Sequence, residues 1–358
     1  MSTISEKSEI LFLYESKYSM PNGDPFTGEQ RYDEESKRIL VSDVRIKRFI
    51  RDYLLELEYE IFVVNDKSQI ASGAESGAAS RLNALIEKYK DDTTIVLKEE
   101  TPEPAQTELP LEVETTDTGK GKKGKSKAKK GPSIDVLKLL QKCIDVRLFG
   151  GISTKEGMAV NLTGPVQFAL LNPALNKSDL RIHQNTSVFS SSAEKTRGAI
   201  GTTSVVPYSV CQIHGWVNPF SAKHSGLEQA DLDKMFAALW HSVNNANTRS
   251  KSNQSSVLLV QIVYNNVTDK LYGTDKLISI STQLKDKNGV VISDKEDEQL
   301  RDWNDFTLSL DKLKTAAESP KVKAINYYTE NDDLEKNMPK NDKFKKMTLV
   351  SLTKKEQS

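Results

Sequence analysis

The chain has 358 residues, enough to bury a sizeable core as two or three domain-sized units or as one domain with large insertions. Its 50 lysines and arginines balance its 50 aspartates and glutamates, so only local charge clusters can indicate a nucleic-acid partner. Two cysteines exclude a disulfide framework and a zinc site, and we expect Cys143 and Cys211 to be buried. The sequence shows no signal-peptide pattern and no run of ~20 apolar residues, so we expect a soluble cytoplasmic protein without membrane contact.

The N-terminal region predicts strands and helices around a long polar loop. An apolar run at residues 10–14 is typical of a buried strand, and residues 19–38 are rich in Pro, Gly, Asn and Asp. A helix follows, capped by Ser42 or Asp43, with apolar residues at helical spacing on one face. The sequence then predicts a strand at residues 60–65 and a helix at residues 79–89.

The composition changes sharply at residues 99–133. The first half of this segment is acidic and proline-rich, and the second half is a run of lysine and glycine. Such a composition cannot support a packed core, so we predict a mobile insertion. It divides the chain into an N-terminal part, residues 1–98, and a remainder, residues 134–358.

The remainder predicts further alternation of helices and strands. Residues 185–198 are polar and predict an exposed hairpin or loop, with Val188 and Phe189 at its centre. The other predicted elements are helices at residues 134–146, 228–244 and 305–316, and strands at residues 146–152, 205–217, 257–264, 277–280 and 322–327. Without regular βαβ periodicity, this order favours an α+β domain carrying long insertions.

Four cations lie near the start of the helix that follows residue 42. Arg45, Lys47 and Arg48 occupy its first turn and a half, and Arg51 lies one turn further on. The positive end of the helix dipole disfavours cations there, whereas a bound phosphate would make the arrangement favourable. The alternative is a solvated basic face paired with acidic residues of the preceding loop. The residues alone leave both interpretations open.

Enzymatic chemistry has little support in the sequence. The four histidines show no metal-ligand spacing, and no Walker loop, dinucleotide fingerprint or nucleophile motif is present. Asp24 and Asp33 could orient a ribose hydroxyl or hold a metal for strand cleavage. Asp24 before proline is also typical of an ordinary turn. We therefore expect no catalytic residue, no metal and no cofactor.

Several motifs occur in an order that resembles a known family. They are residues 22–25 (NGDP), 43–51 (DVRIKRFIR), 145–151 (DVRLFGG) and 163–167 (TGPVQ), then Tyr208, Gly215 and a helix containing Asp231. Together they resemble the Cas-seven family, the backbone proteins of type I CRISPR Cascade complexes within the RAMP superfamily, in particular its subtype I-B and I-C branches. The resemblance implies an RRM-like or ferredoxin-like palm with finger and thumb insertions, the thumb at about residues 183–203.

The resemblance also implies a function. Copies of such a subunit polymerise as a filament along one CRISPR guide RNA, with other Cascade subunits, and present the guide for pairing with target DNA. A scaffold of this kind grips phosphate and ribose and leaves base edges free. The implied RNA-binding residues are Asn22, Gly23, Arg45, Lys47, Arg48, Arg51, Arg147, Phe149, Gly150, Gly151 and Gln167, and in the thumb Val188, Phe189, Lys195 and Arg197. Val188 or Phe189 is the expected wedge between bases.

Other functions remain as alternatives. Related backbone proteins of type III systems cut RNA with a loop aspartate, for which Asp24 or Asp33 would be the equivalent. A general single-strand RNA chaperone, or the same scaffold in a transposon-associated CRISPR complex, would show the same local chemistry. The sequence does not distinguish a complex that recruits a nuclease from one that recruits a transposase.

Overall fold

A computed structural model describes residues 3–64, 77–97, 133–155, 158–186 and 200–353. The predicted insertion at residues 99–133 lies outside these ranges apart from Ser133. Within them, no helix combines the length and the apolar character that a bilayer crossing requires.

The described residues form eight α-helices, three short 3-10 helices and eighteen strands. The helices are α1 (Asp43–Glu56), α2 (Ala78–Lys88), α3 (Val136–Leu140), α4 (Ile144–Phe149), α5 (Pro219–Ser225), α6 (Gln229–Asn244), α7 (Asp311–Glu318) and α8 (Asp332–Asn337). The strands are β1 (Ser8–Ser19), β2 (Tyr32–Asp33), β3 (Arg38–Ser42), β4 (Val96–Leu97), β5 (Ser133–Ile134), β6 (Gly150–Ser153), β7 (Val160–Thr163), β8 (Val166–Phe168), β9 (Leu171–Lys177), β10 (Arg181–Thr186), β11 (Ile200–Val217), β12 (Gln254–Tyr264), β13 (Ser279–Ser281), β14 (Gln283–Lys285), β15 (Val291–Asp294), β16 (Thr307–Ser309), β17 (Val322–Tyr328) and β18 (Phe344–Lys346).

A large sheet organises the fold. In the described part of the chain it contains ten strands in the order β18-β17-β12-β1-β11-β9-β3-β2, with β8 and β10 also paired to β11. The central strand β1 is antiparallel to both β11 and β12. Helices α1 and α6 pack against each other and share a core with one face of the sheet. The predicted α+β class is therefore confirmed.

Both faces of the central strand are buried. Ile10, Phe12 and Tyr14 belong to the core under α1 and α6, whereas Leu11 and Leu13 belong to a second core on the opposite face. The second core is completed by C-terminal residues that include Leu277, Phe306 and Leu313. Each fully buried side chain of this size contributes about 2 kcal/mol from burial. This two-sided burial explains why β1 appears in the sequence as a continuous apolar run instead of an alternating one.

Helix α1 forms where the sequence predicts it. The Ser42 hydroxyl accepts a hydrogen bond from the Arg45 amide, which satisfies one of the free donors at the helix start. Ile46, Phe49 and Ile50 are buried on the face that packs towards α6. The helices predicted at residues 79–89 and 228–244 and the strands at residues 10–14, 205–217, 257–264 and 322–327 are likewise confirmed, and both cysteines are buried.

The strand predicted at residues 60–65 is wrong, since its described residues, 60–64, form none. The backbone amides of Phe62 and Val63 instead donate hydrogen bonds to the Asp145 carboxylate, at 2.8 and 3.1 Å. A carboxylate more than eighty residues away thus takes the donors that a neighbouring strand would have used. Ile61 and Phe62 are buried, so the apolar run indicated burial correctly and secondary structure incorrectly.

The region from 134 to 152 also differs from the prediction. The predicted single helix is two helices, α3 and α4, and the strand begins only at Gly150 instead of at residue 146. The Arg147 guanidinium donates to the Gln141 carbonyl at 2.6 Å, which satisfies a carbonyl oxygen at the break between the helices. The helix predicted at residues 305–316 is also shifted, because α7 starts at Asp311.

Two glycines, Gly150 and Gly164, allow the backbone at the end of α4 to approach the backbone at the end of β7 closely. Gly150 has φ +81°, in the left-handed region, and a Cβ there would overlap the Leu162 carbonyl and the Gly164 nitrogen. A Cβ on Gly164 would overlap the backbone of Phe149. Gly150 therefore has a structural reason to be glycine, independent of any ligand.

We predict that Gly150→Ala destabilises the protein more than Gly289→Ala. Gly289 also has φ +81° but nothing within 4 Å of the point that a Cβ would occupy, so Gly289→Ala carries backbone strain of about 1–2 kcal/mol without any overlap. Only Gly150→Ala adds backbone overlap, which costs roughly a further 1–3 kcal/mol. Urea unfolding of both variants measures the difference, and equal losses would contradict the close approach.

Candidate nucleic-acid interface

Three motifs that are far apart in the sequence meet beside α1. Lys47 and Arg51 project from α1 on the same side of the helix as Phe149, which ends α4. The Lys47 ammonium lies 5.9 Å and the Arg51 guanidinium 5.1 Å from the centre of the Phe149 ring. Gln167 of β8 completes the group by accepting a hydrogen bond from Lys47 at 2.9 Å. We call these four residues the convergent cluster.

The Lys47 ammonium is held by Asp43, by Gln167 and by the Phe149 ring. Its ammonium contacts the Asp43 carboxylate at 3.1 Å as well as the Gln167 oxygen, and its side chain is only 13% exposed. The Gln167 amide in turn donates to the Gly164 carbonyl at 3.0 Å. Asp43 stands in the first helical turn, where a carboxylate is stabilised by the helix dipole. The electrostatic cost of cations at this helix end is therefore offset within the fold.

Arg51 forms the most buried ion pair of α1. Its Nε donates to Asp145 at 2.9 Å, and the exposed fractions of the two side chains are 13% and 0%. Asp145 also accepts from the amides of Phe62 and Val63, so its charge is fully hydrogen-bonded. The sequence motif that contains Asp145 thus supplies an anchor for α1, a role that its residue type alone did not reveal.

Arg48 and Arg45 differ in their environments. Arg48 is 45% exposed and pairs with Asp52 one turn along the helix at 2.6 Å, so it can exchange this partner for a phosphate at low cost. Arg45 turns its guanidinium onto the Phe49 ring at 3.7 Å. Its Nε is buried without a hydrogen-bond partner in the described residues, and burial lowers the pKa of Arg45.

Arg147 lies apart from the convergent cluster. Its guanidinium makes a two-pronged contact with Asp231 at the start of α6, at 2.8 and 2.7 Å. Burial alone would lower the pKa of Arg147, but the hydrogen bonds and charge of Asp231 hold it above its usual value. These contacts join α4 to α6, so a structural role is established for Arg147, and RNA contact by this residue stays a prediction.

Asn22 organises the start of α1 from the preceding loop. Its side-chain oxygen accepts from the Ser42 amide at 2.7 Å and the Ser42 hydroxyl at 2.8 Å. Asn22 is 5% exposed, and Gly23 follows it in an isolated bridge with Gln30. The structure therefore places Asn22 and Gly23 next to the basic helix, with Asn22 supporting its cap.

Gly151, which follows Gly150 after α4, is half-buried beside Val146.

The candidate cleavage residues Asp24 and Asp33 each accept hydrogen bonds from a turn that follows them, and Asp33 is the last residue of β2. Asp24 accepts from the Phe26 amide at 2.8 Å and pairs with Arg31 at 2.9 Å. Asp33 accepts from the Glu35 amide and the hydroxyl of Ser36. Across the described ranges, no group of three or more histidine, cysteine or acidic side chains is arranged to hold a metal ion.

The predicted thumb begins and ends in a hairpin. Strands β10 and β11 pair from Arg181 opposite Val205 to Thr186 opposite Ile200, so the chain leaves the sheet and returns at one place. The side chain of Ile182 is 69% exposed. The thumb residues Val188, Phe189, Lys195 and Arg197 lie outside the described residues.

The loop between α6 and β12 was missed by the sequence reasoning. Lys251 of this loop, together with Arg45 and Phe49, lines a cavity of about 400 Å³. Burial, and then the nearby charge of Arg45, lower the pKa of Lys251 to about 8. No periodic pattern marks this loop, and only its two cations, Arg249 and Lys251, could have indicated it.

A family model described as CRISPR-associated protein Cas7 matches residues 6–311, which include α1, the convergent cluster and the strands of the large sheet other than β17 and β18. The chain belongs to the Cas7 family. A relative named CRISPR-associated protein Cas7, from Haloferax volcanii, is 23% identical over 317 residues, which cover 82% of this chain and 81% of the relative. The family inferred from the ordered motifs is thus confirmed.

Two solved structures have similar chains. One, described as a CRISPR RNA-guided surveillance complex in a pre-nicking state, contains a chain 12% identical to this Cas7 protein, with a TM-score of 0.46 and coverage of 98% of this chain and 96% of that chain. The other, described as a CRISPR RNA-guided surveillance complex, gives 12% identity, a TM-score of 0.42 and coverage of 91% and 90%.

We predict that Asp145→Ala costs about 3–5 kcal/mol of unfolding free energy, because it leaves the Arg51 guanidinium, the buried Phe62 amide and the partly buried Val63 amide without their acceptor. Asp52→Ala, which breaks the exposed pair with Arg48 on the same helix, should cost less than about 1 kcal/mol. Urea unfolding of both variants provides the measurement. Similar losses in the two variants would show that Asp145 does not anchor α1.

Proposed function

We propose that this Cas7 protein is a non-catalytic backbone subunit that binds the guide RNA of a type I CRISPR surveillance complex of the I-B kind. Copies of the chain would line up along the guide with other subunits of the complex, and the guide would pair with target DNA. The observation that carries the proposal is the convergent cluster. Motifs separated by about a hundred residues meet there to place cations and an aromatic ring beside the start of α1.

The order of the elements supports a ferredoxin-like or RRM-like palm. Apart from the insertions, β1, α1, β9, β11, α6 and β12 follow one another as strand, helix, strand, strand, helix, strand. The strands lie side by side in the order β12-β1-β11-β9. The hairpin of β10 and β11 is the corresponding candidate for the thumb, with its wedge at Val188 or Phe189.

The chemistry of α1 fits backbone binding. Arg48 is exposed and Lys47 is partly exposed beside it, so both side chains offer positive charge at the surface of α1. Phosphate contacts fix the position of a strand and carry no sequence information, as a scaffold for arbitrary guides requires. Gly151 and Gln167 would lie along the same path. The proposal assigns no metal and no cofactor to this function.

A non-catalytic role agrees with the setting of the two loop aspartates. Asp24 is paired with Arg31, and both Asp24 and Asp33 accept backbone amides in their turns. A carboxylate used in this way has fewer free oxygen lone pairs for a metal or a ribose hydroxyl. No observation in the described residues favours the ribonuclease alternative over the scaffold.

We predict that the double variant Lys47→Ala with Arg48→Ala weakens assembly on RNA. Log affinity falls with log salt concentration by about 0.7 for each phosphate contact with a single strand. Removing two contacts should therefore make this fall less steep by roughly 1.4. Fluorescence anisotropy with labelled RNA over a salt series measures this slope. Two RNAs of equal length and unrelated sequence should bind with equal affinity.

The matched control is Lys312→Ala with Lys314→Ala. These exposed lysines lie on α7, which packs on the opposite face of the sheet, so the charge change is the same at a distant surface. The control should bind RNA as the unmodified chain does. If the α1 double variant assembles on RNA as well as the control does at moderate salt, α1 is not the RNA-binding element.

We also predict that complementary RNA stays intact when incubated with the assembled protein and magnesium. Denaturing gel electrophoresis of end-labelled target RNA is the measurement. Magnesium-dependent cleavage that disappears in Asp24→Ala or Asp33→Ala would establish the ribonuclease instead, whereas a scaffold gives the same uncut band for both variants.

A further inference from the structure

A cavity lies between α1 and the loop that joins α6 to β12. Its volume is about 400 Å³, and α1 contributes Arg45, Asp52 and Glu56 to its wall. The loop contributes residues 245–248 together with Ser250 and Lys251. The convergent cluster is separate, because neither Phe149 nor Gln167 belongs to this wall.

Arg45 differs from the other cations of α1. Lys47, Arg48 and Arg51 each contact a carboxylate, at 3.1, 2.6 and 2.9 Å. The Arg45 guanidinium lies 3.7 Å from the centre of the Phe49 ring, and within the described residues Arg45 forms no ion pair and leaves its buried Nε without a partner. A guanidinium nitrogen that has lost water and gained no acceptor is costly to bury.

Lys251 faces the same cavity. Its ammonium donates to the Met20 carbonyl, a neutral acceptor, and in the described part of the chain it forms no ion pair. Burial and then the positive charge of Arg45 lower its pKa to about 8. Arg45 and Lys251 thus line the same cavity, and the charge of Arg45 disfavours the protonated form of Lys251.

The acidic residues of the cavity offset its positive charge only in part. The charge of Asp52 raises the pKa of Arg45 against the larger effect of burial, but Asp52 pairs directly with Arg48 at 2.6 Å, and Glu56 is exposed. Tyr53 is the remaining titratable group in the wall. The local balance of charge around Arg45 and Lys251 therefore favours a bound anion.

We propose that Arg45 and Lys251 together bind one phosphate group in this cavity. The Arg45 guanidinium, fixed by Phe49, offers a planar fork of donors, and Lys251 adds a point charge with free N–H donors. The phosphate comes from an RNA backbone, in which case the inference rests on the proposed function, or from a free phosphate ion. Both sources present the same oxygens, and experiment separates them.

The proposal makes binding depend on pH. A bound phosphate stabilises the protonated ammonium and raises its pKa towards the ordinary lysine value of about 10.4. Binding is therefore strongest below pH 8, where Lys251 is already charged in the free protein, and weakens as pH rises through 8 to 10. An arginine at position 251 stays charged throughout this range.

The first experiment measures affinity for a short RNA oligonucleotide between pH 7 and 9.5, at constant ionic strength and without phosphate buffer. The full chain should lose roughly tenfold in affinity over this range, and Lys251→Arg should change by less than about twofold. Lys312→Arg makes the same exchange on α7 and should follow the unmodified chain. Parallel profiles for the unmodified chain and Lys251→Arg overturn an RNA phosphate at this site.

The second experiment does not depend on RNA function. Acylation of Lys251 by an amine-reactive ester at pH 8, read by mass spectrometry, is expected to fall at least fivefold with RNA or with inorganic phosphate. Protection by phosphate alone assigns the site to a free ion, and protection by neither overturns it. Arg45→Gln should abolish the protection, and protection that survives this change overturns the two-cation site.

If the unmodified chain binds no RNA at any pH, the proposed function fails. The acylation experiment with inorganic phosphate then decides alone whether Arg45 and Lys251 bind a phosphate. If RNA binds with a pH profile that Lys251→Arg does not alter, the phosphate site fails and the proposed function stands. The thermal unfolding midpoint of each variant, compared with that of Lys312→Arg, separates loss of the site from loss of the fold.

Discussion

The buried carboxylate of Asp145 is the contact on which the arrangement beside α1 depends. It accepts from the Arg51 guanidinium and from the amides of Phe62 and Val63, and none of its surface is exposed. Three separate segments of the chain are thereby fixed to one point. Phe149 follows four residues later, one turn along α4, so the same anchor places its ring beside Arg51. A buried charge this well satisfied tolerates little displacement.

This anchoring explains how one helix can carry four cations near its start. Asp43 and Asp145 take up Lys47 and Arg51 inside the fold, and Asp52 pairs with Arg48 at the surface. The repulsion among like charges on neighbouring turns is thus offset pair by pair. Within the described residues, Arg45 has no such partner. The acids that pair with the other three cations belong to α1 itself and to α4, not to the preceding loop as the solvated-face interpretation expected.

Sequence periodicity predicted those elements whose side chains determine their conformation. The amphipathic pattern of α1 and α6 and the apolar runs of β1 and β12 each correspond to the observed element. The prediction failed at residues 60–64 and 146–149, where contacts distant in sequence decide the conformation. Ordered motifs identified the members of the convergent cluster without geometry. They could not show that Arg147 pairs with Asp231, or that Lys251 lies beside Arg45, because both relations exist only after folding.

The two-sided burial of the sheet limits how this fold can meet RNA. Single-sheet RNA-binding domains of the RRM type stack bases on aromatic side chains of an open sheet face. Here Leu11 and Leu13 on that face are fully buried beneath C-terminal residues such as Phe306 and Leu313. Bases therefore have no access to the centre of the sheet in the described structure. What remains available around α1 is charge: an exposed guanidinium, a partly exposed ammonium and a cavity with two further cations. Such a surface can hold a strand by its phosphates while leaving its bases free to pair. A guide-RNA scaffold requires both properties.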